Sequence, residues 1–194
     1  MEIQSNLIRA AAECATENDI RSYLNGVCIE YTASNDRVWI IGTNGHVLFA
    51  AWQAVDPVSE SFKVLIPTKM ASKIKSKSPI DVSPDGTVTT FFDGTAGSFK
   101  ADTLDFYPDW RYVVPKQVKN EHQVYQNIYL VKAAKIFDLV AGAKGKASHV
   151  DVRGGQGEPG IVQGLPAHCI MVMMPIRLDK EAPILDGLHE RLGI

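Results

Sequence analysis

A chain of 194 residues, 45% hydrophobic and 22% charged, has room for one large or two small globular domains and can bury a core without staples. Its formal net charge of -2 selects no particular partner, and no apolar run approaches the ~20 residues that span a bilayer. The N-terminus, MEIQSNLIRAAAECA, lacks the basic-then-apolar order of a secretory signal, and Cys14, Cys28 and Cys169 form no C-x-x-C pair. Cys14 and Cys28 fall on apolar faces and read as buried free thiols, which fits a reducing, cytoplasmic compartment.

Residues 1–5 read as a short strand. Ser5 or Asn6 is placed to cap a helix over about 7–16, with Leu7, Ala10, Ala11 and Cys14 on one face, Arg9 pointing elsewhere and Glu13 one turn on. Three β-branched runs follow at 27–31, 37–41 and 46–51. Polar turns divide them at 33–36 and 43–45, the pattern of an antiparallel meander. After a polar connector, 62–66 reads as a strand stopped by Pro67. Residues 68–77 read as a helix with Met70, Ala71 and Ile74 inward and Lys69, Lys73, Lys75 and Lys77 basic, with no acid among them. Strands are expected at 80–83, 87–92 and 97–102, with Asp85-Gly86 and Asp93-Gly94 as hairpin turns.

Residues 103–121, TLDFYPDWRYVVPKQVKNE, hold Pro108 and Pro115 together with Phe106, Tyr107, Trp110 and Tyr112. They read as an irregular but packed linker crossing a surface. A strand is expected at 123–131 and a helix at 132–143. Ala133, Ile136, Phe137 and Val140 would face inward; Lys132, Lys135, Lys144 and Lys146 would face outward against the single acid Asp138. Strands follow at 148–153, 160–164 and 169–174, with 154–159 (GGQGEP) as a flexible hairpin loop and a short helix at 184–192. Strand, helix, three strands thus recurs three times at a period of about sixty residues. Each small sheet must cover the apolar stripe of a helix, which predicts a two-layer α+β fold.

Three separated motifs now line up with one family. RSYLNGVCIEY with IIGTNGHVLF, then FYPDWRYVVP, then VMMPIRL resemble the bacterial DNA polymerase III β sliding clamp, over about residues 5–178. The corresponding family segments read R-x-Y-L-N-G, T-D-G-H-R-L, F-P-D-Y-R-R-V-x-P and M-P-M-R-L. The resemblance implies the DNA-clamp fold, with repeated strand-helix-three-strand half-domains whose antiparallel sheets pack on helices. It implies a complete clamp-like domain at 1–116 (units of about 1–55 and 56–116), a half-domain at 117–178 and a tail at 179–194. A family subunit has six such units and this chain three; Met1 reads as a native start, which favours a short clamp-like protein over an accidental fragment.

What the resemblance implies for function is a non-enzymatic processivity factor in DNA replication or repair. It would contact duplex DNA without sequence preference and bind polymerases or repair proteins through short linear motifs. The implied peptide pocket takes Arg21 and Leu24 from RSYLNG, and Thr43, Gly45, His46 and Leu48 from TNGHVL. Pro108, Tyr112 and Val113 come from YPDWRYVV, and Val172, Met174, Pro175, Ile176 and Arg177 from VMMPIR. These residues equally fit plain strand-end core. Met, Leu and Pro suit an adaptable apolar socket for one or two Leu or Phe anchors. Asn44, Val47, Tyr112 and Ile176 depart from the family pattern, so the peptide preference is expected to differ. The basic helix faces are either solubilising or DNA-facing; in the context of the resemblance Arg9, Lys69, Lys73, Lys77, Lys132 and Lys135 are the DNA-facing candidates.

No cofactor is implied. His46, His122, His149, His168 and His189 show no metal-ligand spacing, and the glycines of GGQGEPG precede a strand and not a helix, so they form no phosphate loop. A lone half-domain leaves a sheet edge and an apolar helix face without a partner. A homodimer through residues 120–178 is therefore expected, with a tetramer matching a twelve-unit ring. The rival readings are a peptide-binding adaptor or clamp antagonist that never encircles DNA, and a structural protein that has lost both activities.

Overall fold

The leading strands of the first two repeats each pair outside their own meander, and this shapes the chain. The computed structural model describes residues 1–75, 77–92, 95–121, 123–141 and 149–176. β1 (Glu2–Gln4) passes straight into α1 (Ser5–Cys14), followed by the meander β2 (Gly26–Tyr31), β3 (Arg37–Thr43) and β4 (Val47–Ala54). In the same way β5 (Phe62–Pro67) passes into α2 (Thr68–Ala71), followed by β6 (Pro79–Val82), β7 (Thr87–Phe92) and β8 (Thr95–Lys100). The two leading strands exchange: β1 pairs antiparallel with β6, and β5 pairs antiparallel with β2. Each repeat thus supplies the strand that completes the other's ladder.

β9 (Asp102–Thr103) adds to β5. The third repeat consists of α3 (Asn127–Val140), β10 (Val152–Arg153), β11 (Gly160–Val162) and β12 (Cys169–Met173). β12 pairs antiparallel with β4, Cys169 opposite Ala51 and Met173 opposite Val47, and so joins the third repeat to the first. The result is a four-stranded sheet in the order β1-β6-β7-β8 and an eight-stranded sheet in the order β10-β11-β12-β4-β3-β2-β5-β9.

Strand alternation sends neighbouring residues to two different cores. On one face Ile29, Ile40, Phe49 and Met171 pack with Leu7, Ile8 and Ala11 of α1 and with Tyr129, Ala133 and Ile136 of α3. On the other face Cys28, Ile41, Leu48, Ala50 and Val172 are covered by Tyr107 and Trp110 of the linker. The helices therefore form one layer and the linker crosses the opposite surface. Burial raises the thiols of Cys14, to about 12, and of Cys28, so both are inert core side chains.

Several sequence expectations are corrected. The strand expected at 123–131 and the helix at 132–143 are one helix beginning at Asn127. Tyr129, Ala133 and Ile136 are buried at helical spacing, and 123–126 pairs with no strand among the described residues. The helix expected over 68–77 ends at Ala71, since Ser-rich sequence and Pro79 give it little intrinsic support; Lys77 lies beyond it at φ 67. Neither Ser5 nor Asn6 caps α1: Gln4 precedes the helix in extended conformation, and the Ser5 hydroxyl instead accepts from the Lys77 amide at 2.9 Å. The GGQGEP loop is tied to the linker, with the Glu121 amide donating to Gly154 O and the Gln123 side chain to Gly155 O. The expected 93–94 turn, Ser148, Lys144, Lys146, His122, His189 and the tail helix lie outside the described residues.

The contact between the two layers is closest at Gly42 of β3, where an added Cβ would come within 1.9 Å of the Ala11 carbonyl oxygen. Because the obstacle is backbone, Gly42→Ala forces α1 off the sheet. It should lower stability by about 3 kcal/mol or more; urea unfolding of the two proteins measures the difference, and a loss within error would show that the layers can slide apart.

Candidate functional site

The candidate site is built where the third strands of two repeats meet. β3 turns into β4 through Thr43-Asn44-Gly45-His46. The Asn44 carboxamide oxygen accepts from the amides of His46 and Val47, both at 2.9 Å, and the Thr43 hydroxyl donates to Val47 O at 2.7 Å. Gly45 sits at φ 87, a left-handed conformation that glycine adopts without a Cβ penalty. Asn at position 44 serves this turn as well as Asp would, because its side chain acts only as an acceptor there.

Three elements converge on that turn. The Met174 amide donates to His46 O at 2.8 Å, which fixes the end of β12 beside it. The ring of Tyr129, from the first turn of α3, lies nearly parallel to His46 with centroids 6.3 Å apart. The Arg21 guanidinium lies so close to Gly45 that a Cβ there would meet its nitrogens at 3.4 Å. Asp19 grips Arg21 from behind in a fork: Nε to Oδ1 and Nη2 to Oδ2, both at 2.9 Å. The hydrogen bonds from Arg21 hold the Asp19 carboxyl at about 2, well below the usual carboxylate range.

Arg21, Thr43, Gly45, His46, Leu48, Val172 and Met174 are thus brought together at one end of the β4–β12 pair. Leu48 and Val172 lie directly opposite each other and are buried in the outer core; Leu24, whose amide donates to Arg21 O, is buried as well. These three form the floor. Met174 and Ile176 are more than a third exposed, and the Ile176 amide donates to Val124 O. Pro108 and Pro175 are half-buried. Tyr112 (88% exposed) and Val113 stand on a short 3-10 turn and line a neighbouring groove of about 540 Å³ with Glu158 and Pro159. No hydrogen bond or ring contact ties them to the Thr43–His46 turn among the described residues. Arg177 lies outside the described residues.

Asp19 and Tyr129 are the contributors that sequence reading missed. Asp19, two residues before Arg21, was a local signal; Tyr129 was hidden by the strand assigned to its segment. The outer face also holds an apolar opening of about 480 Å³ where all three tryptophans, Trp39, Trp52 and Trp110, converge. Arg111 stacks over Trp110 and Arg37 over Trp52, with 4.6 and 4.2 Å to the ring centroids.

On the helical face, Lys69, Lys73 and Lys77 are exposed and Arg9 half-exposed; Arg9 and Lys77 line a groove of about 1090 Å³ between α1 and the end of α3. Lys135, expected to face outward, is exposed and lies beside an acid of α1, whereas Lys132, also expected outward, is half-buried against the α1 backbone. The Lys132 ammonium donates to the Glu13 carbonyl, and Lys135 lies 3.6 Å from the Glu13 carboxylate. Among the described residues no group of three or more His, Cys, Asp or Glu is arranged to hold a metal, and no helix is long and apolar enough to cross a membrane.

An α+β fold of repeated strand–helix–meander units, with helices on one face and sheets continued from repeat to repeat, defines a clamp-type architecture. Comparison with known structures agrees: the chain has the fold of bacterial DNA polymerase III β sliding clamps. The DNA polymerase sliding clamp from Bacillus subtilis is 15% identical with a TM-score of 0.68, covering 92% of this chain and 64% of that one. The DNA polymerase III subunit β from Pseudomonas aeruginosa is 14% identical with a TM-score of 0.65, over 92% of this chain and 66% of that one. The subunit from Borrelia burgdorferi, solved in complex with a natural product, is 15% identical with a TM-score of 0.66, over 92% and 62%. This chain therefore spans about two thirds or less of the length of these clamps. No protein-family model matches the sequence, and no curated protein is similar to it.

The Asp19–Arg21 fork gives a pH signature. A carboxyl whose folded value is depressed contributes fully above its ordinary value and loses that contribution as pH falls through about 2. Carbon NMR of the Asp19 carboxyl should show a midpoint near 2, with the Arg21 Nε–H resonance moving in the same range. A midpoint near the ordinary ~4 would mean that Arg21 is not held.

Proposed function

We propose that this protein is a sliding-clamp-like accessory factor of DNA replication or repair, a binding protein and not an enzyme, organised as a clamp domain at 1–116 and a half-domain at 117–178. It docks short linear peptides of polymerases or repair proteins at the end of the β4–β12 pair. The reading is carried by one observation: the Thr43–His46 turn and the Met174–Ile176 segment, distant in sequence, are hydrogen-bonded side by side over an apolar floor of Leu48 and Val172. An extended peptide with a Leu or Phe anchor would fill such a floor, with Arg21 at its rim. Two or three anchors, each worth ~1.5–3 kcal/mol, plus backbone hydrogen bonds reach the roughly 8 kcal/mol of a micromolar complex. Clamps of the same fold have been solved with bound compounds, the Pseudomonas aeruginosa clamp with griselimycin among them.

The helical face is proposed to contact duplex DNA through Arg9, Lys69, Lys73 and Lys77, with Lys132 and Lys135 contributing less because Glu13 already engages them. Self-association through the third repeat is proposed as well. Supporting it are Ile128 and Val131, each more than half exposed on α3, and the position of β10, which ends its sheet among the described residues.

Fluorescence polarisation with a labelled Leu/Phe-anchored clamp-binding peptide tests the pocket. Saturable, roughly micromolar binding is expected, weakened about tenfold or more by Met174→Glu; absence of saturation in the unaltered protein would leave a structural role as the better reading. Lys69→Glu with Lys73→Glu should abolish salt-sensitive retention of duplex DNA in a mobility-shift assay while sparing peptide binding. Retention that survives this double change would exclude the helical face as the DNA surface. Val131→Glu should halve the mass seen by light scattering, and an unchanged mass would remove the third repeat as an interface.

A further inference from the structure

The three tryptophans of the chain meet at one place on the outer face, and the peptide and DNA contacts proposed above use none of them. Trp39 and Trp52 are cross-strand partners on β3 and β4. Trp110 of the linker lies against Trp39 with ring centroids 4.9 Å apart. The His168 ring meets Trp52 edge-on, and the Trp52 amide donates to His168 O at 3.0 Å, so the segment before β12 closes another side. These residues line the apolar opening of about 480 Å³, within the size of ordinary ligand sites. It sits at the Ala51–Cys169 end of the β4–β12 pair. The Thr43–His46 turn adjoins the Val47–Met173 end, roughly 14 Å away along the strand.

The lining carries cations and no acid: its charged residues are Arg111 and Lys116. Arg111 is held in the wall, 4.6 Å from the Trp110 centroid and 5.5 Å from that of Trp39, with its nitrogens on Glu30 and Asp109. Lys116 is exposed and has no ion partner among the described residues, so it is the charge left for a ligand. The Trp110 indole N–H, on a residue only 6% exposed, has no hydrogen-bond partner among the described residues. A buried donor without a partner is costly, and a ligand oxygen would relieve it. The opening also runs on into the groove of about 540 Å³ beside it, since Arg111, Val114, Pro115 and Lys116 line both. Past that shared ridge Gln117 and Val118 are exposed, and among the described residues their backbone makes no hydrogen bond within the chain. A track longer than one side chain, bordered by free backbone, suits an extended segment better than a compact molecule.

We infer that this face binds an extended segment of a partner protein in which a Phe or Leu side chain is flanked by acidic residues. The apolar side chain enters between the three tryptophans, a main-chain carbonyl accepts from the Trp110 N–H, and a neighbouring carboxylate meets Lys116. Trp and Arg are the side chains that most often dominate such interfaces. Here they brace one another before any ligand arrives, so little order is lost on binding. Single-stranded nucleic acid fits less well. Base stacking needs a bare ring face, whereas Trp110 is buried and Arg37 covers Trp52.

Because all three tryptophans line the opening, intrinsic tryptophan fluorescence of the full chain reads it directly. The probe is acetyl-Asp-Phe-Glu-Phe-Asp-amide, with acetyl-Lys-Phe-Lys-Phe-Lys-amide as its charge-reversed counterpart. A saturable change is expected with the acidic peptide, and binding about tenfold weaker or less with the basic one. Lys116→Glu should weaken the acidic peptide about tenfold. Ala167→Glu, at an exposed position of the lining, should abolish its binding, and Met174→Glu should leave it unchanged. Far-ultraviolet circular dichroism checks that each variant is folded. No saturable change, equal response to both peptides, or binding that survives both Lys116→Glu and Ala167→Glu would overturn the inference. So would loss of the response in Met174→Glu, which would put the peptide at the other end of the β4–β12 pair. Equally tight binding of phenylacetate or oligothymidylate would also overturn it, in favour of a small-molecule or nucleic-acid site.

Discussion

A β-strand is stable only where its backbone groups find a ladder, and in this chain the ladders are completed by exchange. β1 and β5 each enter a helix at once, and each pairs with the other repeat and not with its own meander. The first two repeats are therefore one cooperative unit, because removing either leaves the other with an open sheet. The third repeat takes no part in such an exchange among the described residues. Its leading segment stays outside any ladder, and the repeat is held through its last strand, β12, on the other side.

That arrangement explains why the candidate site lies where it does. The β4–β12 pair ends in a turn on one side and the Met174–Ile176 segment on the other. Strand ends are where backbone groups become free to meet a ligand. The turn is internally satisfied by Asn44 and Thr43, so its shape does not depend on what binds. Arg21 is likewise fixed in advance by Asp19, which removes much of the entropy that an exposed arginine loses on forming a contact. Tyr112, expected in the same pocket, stands instead on a neighbouring groove with Glu158 and Pro159.

Legibility in the sequence followed periodicity. The meander over β2–β4 and the β6–β8 hairpins carry strong β-branched runs cut by Asn, Asp and Gly, and they were readable to within a few residues. The linker's packing was readable in part: Tyr107 and Trp110 cover the outer core, whereas Phe106 and Tyr112, expected to pack with them, are exposed. The start of α3 was not: Ile128, Tyr129 and Val131 are β-formers by propensity, and Tyr129 and Leu130 pack against the core that holds α1. The engagement of Lys132 and Lys135 by Glu13 was hidden for a related reason, because Glu13 lies more than a hundred residues away. Of the site, the motif residues on β4 and β12 could be named from the resemblance. Tyr129 could not, since its partner His46 lies more than eighty residues away; Asp19 had its partner Arg21 two residues on and went unread.

The site also has an energetic coupling to the join it occupies. Its walls come from two repeats that meet through the β4–β12 ladder, the His46–Tyr129 contact and the linker packed on the outer face. A ligand that touches both walls binds only when that join is formed, so its binding free energy adds to the stability of the join by mass action. The converse holds by linkage: anything that secures the third repeat, including a second copy against Ile128 and Val131, reduces the cost of organising the site before a ligand arrives. Under the proposed function, assembly and peptide affinity would be linked through the five residue pairs between β4 and β12.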